Sequence, residues 1–115
     1  MKRISFLEVR FFRTETGNEP VREWLKSLPK EDRKLIGVDI KTIQEGWPVG
    51  MPLAKKICNG IWEVRTNLEN RISRVLFTLS EGKVILLHGF IKKTEKTQSD
   101  DLDLAAKRMK QLNRG

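Results

Sequence analysis

The chain has 115 residues, of which 33% are charged, and its formal net charge is +8. This length suits one ordinary domain, so we expect residues 1–115 to form a single domain, and the positive charge favours a polyanionic partner over an acidic small molecule. A single cysteine and a single histidine exclude an internal disulfide and the usual zinc sites.

The N-terminal residues predict a strand. Residues 4–12 are rich in strand formers, and the turn-forming segment 14–18 follows them. The apolar stretch at the start ends at Glu8, which is too early for a signal peptide or a membrane-spanning helix. We therefore expect a cytoplasmic protein without a membrane segment.

Two helices are predicted next. Asn18 is a candidate N-cap and Pro20 suits the first turn of the first helix. The second helix begins after Pro29 and ends before an apolar loop, residues 46–52, that we expect to lie against the protein. The apolar residues with helical spacing are Val21, Trp24, Leu25 and Leu28 in the first helix, and Leu35, Ile36, Ile40 and Ile43 in the second.

A hairpin turn at Glu81 and Gly82 predicts the register of the two longest strands. With a regular two-residue turn, Arg74 lies opposite Gly89, which would leave room for a nucleotide. Side chains alternate along a strand, so Arg74 and His88 are expected on opposite faces. A bulge would overturn this prediction, because one slipped residue turns every side chain beyond it to the other face.

The C-terminal residues predict a helix from Ser99, with acidic residues in its first turn and basic residues in its second half. Its apolar stripe is Leu102, Ala105, Met109 and Leu112. The predicted fold class is therefore α+β: an N-terminal strand, a two-helix hairpin, an antiparallel sheet of three to four strands and a C-terminal helix.

Cationic side chains among the strands suit the cleavage of RNA by its own 2′-hydroxyl. This reaction needs a base, positive charge near the phosphorus and a proton donor to the 5′-oxygen, and it requires no metal or other cofactor. Arg65 and Arg74 are candidates to hold the phosphate through their planar guanidinium groups. Glu63 is either the base or a partner that neutralises Arg65 on a solvated face, and Lys93 is the candidate proton donor.

Four more lysines are candidate contacts to RNA or the ribosome. They lie just before the sheet and just after its last strand: Lys55, Lys56, Lys92 and Lys96. The alternative is that they form ordinary solvated loops and faces.

The single histidine, His88, lies in a strand that is apolar on both faces. We therefore expect a buried, hydrogen-bonded side chain rather than an acid or base, although histidine is the residue that titrates near neutrality. The three tryptophans are expected in the core rather than as platforms for bases, with Trp62 the best exception.

The motifs GIWEVR, RVLF, VILLHGF, KKTEKT and AAKR, in this order, resemble the RelE/ParE toxin superfamily and most closely its HigB-like, phage-derived branch. The resemblance implies the toxin of a type II toxin-antitoxin system. Such a toxin is an mRNA interferase, which cleaves messenger RNA on the translating ribosome and is silenced by a cognate helix-turn-helix antitoxin. Arg74 falls where RelE-type enzymes carry a strand arginine, and Arg65 falls on a basic position of the preceding strand.

The chain also departs from the RelE pattern. It contains no tyrosine, and Leu102 stands where RelE-type enzymes carry a functional tyrosine. Glu63 stands where RelE is basic. Two other functions remain open, a ParE-like gyrase-inhibiting toxin and a non-catalytic basic module that binds RNA or the ribosome. Convergence of Arg65, Arg74 and Lys93 in one cleft would favour the endoribonuclease.

Overall fold

The computed structural model describes residues 7–48, 53–92 and 99–114. These residues confirm the predicted α+β layout. The elements in chain order are β1 (Glu8–Phe11), α1 (Pro20–Lys26), α2 (Lys30–Gly46), β2 (Ala54–Cys58), β3 (Ile61–Leu68), β4 (Arg71–Ser80), β5 (Lys83–Ile91) and α3 (Ser99–Arg114). No helix within the described ranges combines the length and the apolar character needed to cross a membrane.

The strands form a five-stranded sheet in the order β1-β5-β4-β3-β2. The four strands from β2 to β5 are antiparallel neighbours, as predicted. The N-terminal strand joins the same sheet at its edge, where β1 runs parallel to β5. The described part of β1 is shorter than predicted, and residues 4–6 of that prediction lie outside the described residues.

Helices cover both faces of the sheet. On one face, α1 and α2 pack on Val75, Phe77 and Leu86. On the other face, α3 packs on Leu76 and Leu87. The predicted apolar stripe of α3 is confirmed, because all four of its residues belong to this second core. The sheet is therefore apolar on both sides, and any polar side chain within it needs a partner.

Most of the predicted core residues of α1 and α2 are confirmed. Leu35 is the exception, because it is 45% exposed on the outer surface of α2. The tryptophans also pack against the α1 and α2 core, and Trp47 contacts the rings of Trp62 and Phe77 edge-on at centroid distances of 5.5 and 5.6 Å. The start of the predicted apolar loop thus lies against the protein, whereas residues 49–52 lie outside the described part of the chain.

The predicted cap of α1 is wrong. Glu19 occupies the N-cap position and makes no capping hydrogen bond with its side chain, because Pro20 already begins the helix. Asn18 lies one residue too early to cap it. Its backbone N–H instead donates to Oγ1 of Thr14 at 3.0 Å, which closes the turn after β1.

The predicted hairpin register holds near the turn and fails beyond it. Leu79 pairs with Val84 as predicted, but Leu76 pairs with His88. Leu87 is therefore an extra residue without an opposing partner, which defines a β-bulge. Arg74 consequently lies opposite Phe90 and not opposite Gly89.

Candidate functional site

The bulge brings Arg74 and His88 to the same face of the sheet, so the prediction of opposite faces is wrong. Paired residues share a face, and the pairing of Leu76 with His88 places both on the side of α3. Six side chains share this face at one end of the sheet: Glu63, Arg65, Arg74, Leu76, His88 and Phe90.

Arg74 and Glu63 form a buried ion pair. Nη1 of Arg74 donates to Oε2 of Glu63 at 3.3 Å, and their side chains are 4% and 1% exposed. This corrects the alternative in which Glu63 neutralises Arg65 on a solvated face, because Glu63 is buried and bonds to Arg74. Charges buried this deeply persist only when they are paired, so Glu63 holds Arg74 in place.

Arg65 is the more accessible of the two arginines. It lies directly opposite Arg74 in the register of β3 and β4, and it is only half-buried. Together with Asp39, Leu53 and Asn67 it lines a cavity of about 380 Å³. Arg65 therefore lies at a space large enough for part of a nucleotide.

Gly89 does not leave room for a nucleotide beside Arg74. It is buried on the opposite face, where a Cβ atom would overlap the ring of Trp24. The absence of a side chain at Gly89 serves the packing of α1 on β5, so this prediction is corrected.

His88 is tied to the first turn of α3. Its Nε2 lies 2.6 Å from Oδ1 of Asp101, and its ring stacks on Phe90 at a centroid distance of 5.4 Å. The predicted hydrogen bond is confirmed, but the side chain is 17% exposed and belongs to the face of Arg74. Asp101 was not predicted as a site residue, because an acidic residue in a first turn is explained by the helix dipole alone.

Arg108 is a second residue whose place near the site was not predicted from the sequence. Its Nη1 donates at 2.7 Å to the carbonyl oxygen of Leu87, the extra residue of the bulge. Its guanidinium also lies over the ring of Phe12, and burial lowers its pKa from the ordinary arginine value. Arg108 therefore links α3 to the backbone of the bulge.

The candidate lysines are spread over more than one surface. Lys55 is exposed and pairs with Glu63, which places it on the face of Arg65. Lys56 is also exposed, and its Nζ lies 5.7 Å from the centroid of the Trp62 ring. Lys92 follows β5 and donates its backbone N–H to Ile72 at 2.7 Å. Lys93 and Lys96 lie outside the described residues.

The described side chains contain no group of three or more His, Cys, Asp or Glu residues that is arranged to hold a metal ion. The site is instead defined by cations. Two arginines face each other across β3 and β4, and a histidine lies beside them on β5.

Fold and site together define a small α+β protein with a cationic cluster at one end of its sheet. The family model described as Phage derived protein Gp49-like (DUF891) matches residues 23–110, which is more than half of the chain and includes this cluster. The chain therefore belongs to the Gp49-like family, which is associated with the toxins of toxin-antitoxin systems. No curated protein matched the chain.

Proposed function

We propose that this protein is the toxin of a type II toxin-antitoxin system and that it is a ribosome-dependent mRNA endoribonuclease of the RelE/HigB type. In this proposal it cleaves messenger RNA by attack of the 2′-hydroxyl, without a metal, and a cognate helix-turn-helix antitoxin silences it. Membership of the Gp49-like family supports the toxin role and an antitoxin partner. The endoribonuclease activity is supported by the cationic cluster and by the net charge of +8.

The observation that carries the proposal is the pairing of Arg65 with Arg74. Like charges directly opposite each other on neighbouring strands destabilise a sheet. Glu63 pairs with Arg74, whereas Arg65 is half-buried and lines a cavity together with Asp39. An anion bound at Arg65 would reduce the repulsion between the two arginines, and a phosphate matches the geometry of a guanidinium group.

Each residue has a separate role in this proposal. Arg65 binds the phosphate beside the cleaved bond, and Arg74, held by Glu63, lies beside Arg65 on the neighbouring strand. Lys93 remains the candidate proton donor to the leaving 5′-oxygen. Four lysines contact the RNA backbone or the ribosome: Lys55, Lys56, Lys92 and Lys96.

Expression of the wild-type protein and of Arg65→Gln tests this function. Mapping of transcript 5′ ends after induction should show wild-type cuts within coding sequences, in a ribosome-bound register. Arg65→Gln should reduce cutting about 10²–10³-fold, as is typical when one group that stabilises developing charge is removed. Arg33→Gln, an exposed change on α2, should cut like wild type.

Other outcomes would contradict the proposal. Intact transcripts together with DNA damage would favour a gyrase-inhibiting toxin. Intact transcripts, intact DNA and tight ribosome binding would favour a non-catalytic module. Soluble protein must be matched between variants, and thermal melting must show that each variant is folded.

A further inference from the structure

The bulge at Leu87 decides which face His88 occupies. Without the extra residue, His88 would be paired with Val75 and would point toward α1 and α2. The bulge is held by α3, because Arg108 donates to the carbonyl oxygen of Leu87 at 2.7 Å. Bulges often re-aim a side chain beside an active site. Here the bulge turns the only histidine of the chain toward the arginines.

His88 lies close to the position proposed for the phosphate. Arg74 pairs with Phe90, so His88, two residues earlier on the same strand, is a diagonal neighbour of Arg74. Such neighbours are about 7–8 Å apart, within reach of long side chains. A phosphate bound beside Arg65 and Arg74 would therefore have its ribose near the imidazole ring.

Asp101 orients the imidazole ring so that the ring can accept a proton. Its carboxylate lies 2.6 Å from Nε2, and the neutral imidazole then carries its hydrogen on Nε2 and a lone pair on Nδ1. Phe90 stacks on the ring at an interplanar angle of 22° and limits its rotation. A base that is oriented by a third group is the arrangement that activates a hydroxyl in nucleophilic catalysis.

We infer that His88 is the base of the proposed cleavage, with Asp101 and Arg108 as positioning residues. The inference rests on the proposed function. Nδ1 takes the proton of the 2′-hydroxyl while the 2′-oxygen forms a bond to phosphorus. The bond from phosphorus to the 5′-oxygen breaks, its electron pair goes to the 5′-oxygen, and that oxygen takes a proton from water or another general acid. The products are a 2′,3′-cyclic phosphate and a 5′-hydroxyl.

The charged groups around His88 come from three elements. Within the described ranges, Asp101 faces it from α3, Arg74 from β4 and Glu63 from β3. Glu63 is engaged with Arg74, so Asp101 is the carboxylate that acts directly on the ring. General-base catalysis needs the unprotonated form of the base, so the rate of cleavage should rise with pH.

The test uses the purified full chain in a translating extract, with cleavage rates measured at a series of pH values. His88→Gln should lower the rate about 10²–10⁴-fold and abolish the rise with pH. Asp101→Asn should lower the rate roughly 10-fold or more, because an amide can hold the wrong tautomer of the ring. Asp103→Asn, an exposed change on the same helix, should match wild type.

Thermal melting separates a chemical effect from a loss of folding. The inference is supported if His88→Gln and Asp101→Asn stay folded, bind ribosomes and cleave more slowly by the stated factors. If wild type cleaves and folded His88→Gln cleaves at the same rate with the same pH profile, the inference is wrong while the proposed function stands. If wild type does not cleave, both are wrong.

Discussion

Arg74 is both a candidate site residue and, through its ion pair with Glu63, part of the buried interior. Both side chains are almost fully buried, and they hold each other at 3.3 Å. Replacing such a pair by apolar side chains is often neutral, whereas removing one partner leaves the other charge buried. A loss of activity in an Arg74 variant therefore has to be separated from a loss of stability.

Arg74→Ala should lower the free energy of unfolding by about 3–5 kcal/mol, because the Glu63 carboxylate would stay buried without this partner. The double variant Glu63→Leu with Arg74→Met should recover a large part of that loss. Denaturant unfolding measures both, with Arg33→Ala on the exposed surface as the control. An Arg74→Ala midpoint equal to that of wild type would show that the pair does not stabilise the fold.

At the scale of elements, α1 depends on its contact with β5. The helix has only seven residues, and helices this short are unstable in isolation. Its Trp24 ring lies against Gly89, where a Cβ atom would overlap it. The close approach of backbone and ring therefore explains the glycine within the strand.

Gly89→Ala should destabilise the protein by about 1–3 kcal/mol, because the added methyl group forces Trp24 and α1 to move. Gly37→Ala on α2 is the matched control, since open space surrounds that position and alanine favours a helix. The control should raise stability by roughly 0.5–1 kcal/mol. Melting curves compare the stability of each variant with that of wild type. Equal stability of Gly89→Ala and wild type would contradict a close contact between Trp24 and Gly89.

The net charge of +8 predicts that electrostatic attraction contributes to the binding of a nucleic-acid partner. Proteins that neutralise phosphates release counterions from the nucleic acid, so affinity falls steeply with salt. Lys55 is exposed on the face that carries Arg65. Lys34 is exposed on α2, which covers the other face.

Affinity for ribosomes or RNA should fall by about 10²-fold or more between low and moderate salt. Lys55→Gln should weaken binding modestly and reduce the slope of log affinity against log salt by about 1. Lys34→Gln should leave that slope unchanged. Filter binding or fluorescence titration at several salt concentrations measures the slopes, and an affinity independent of salt would remove the electrostatic basis of the proposal.

The amino-acid sequence alone determined the type and order of the elements. The signals for these elements are local, and the elements are present. The signals are the turn residues Glu81 and Gly82, Pro20 at the start of a helix, and the helical spacing of apolar residues. The cationic residues of β3 and β4 were also recognised from the sequence. Arg65 and Glu63 share a face of β3 as the alternation of side chains requires.

The positions of these residues relative to one another arise from contacts between segments that are distant in the chain. Strand β5 is apolar on both faces, so a slip of one residue leaves apolar side chains in both cores, and the pattern does not specify the register beyond the turn. The bulge that sets the face of His88 is bonded to Arg108, which lies 21 residues from Leu87 in the chain. Packing between distant segments also buries Arg74 with Glu63 and brings His88 to Asp101. A local sequence pattern does not predict such contacts.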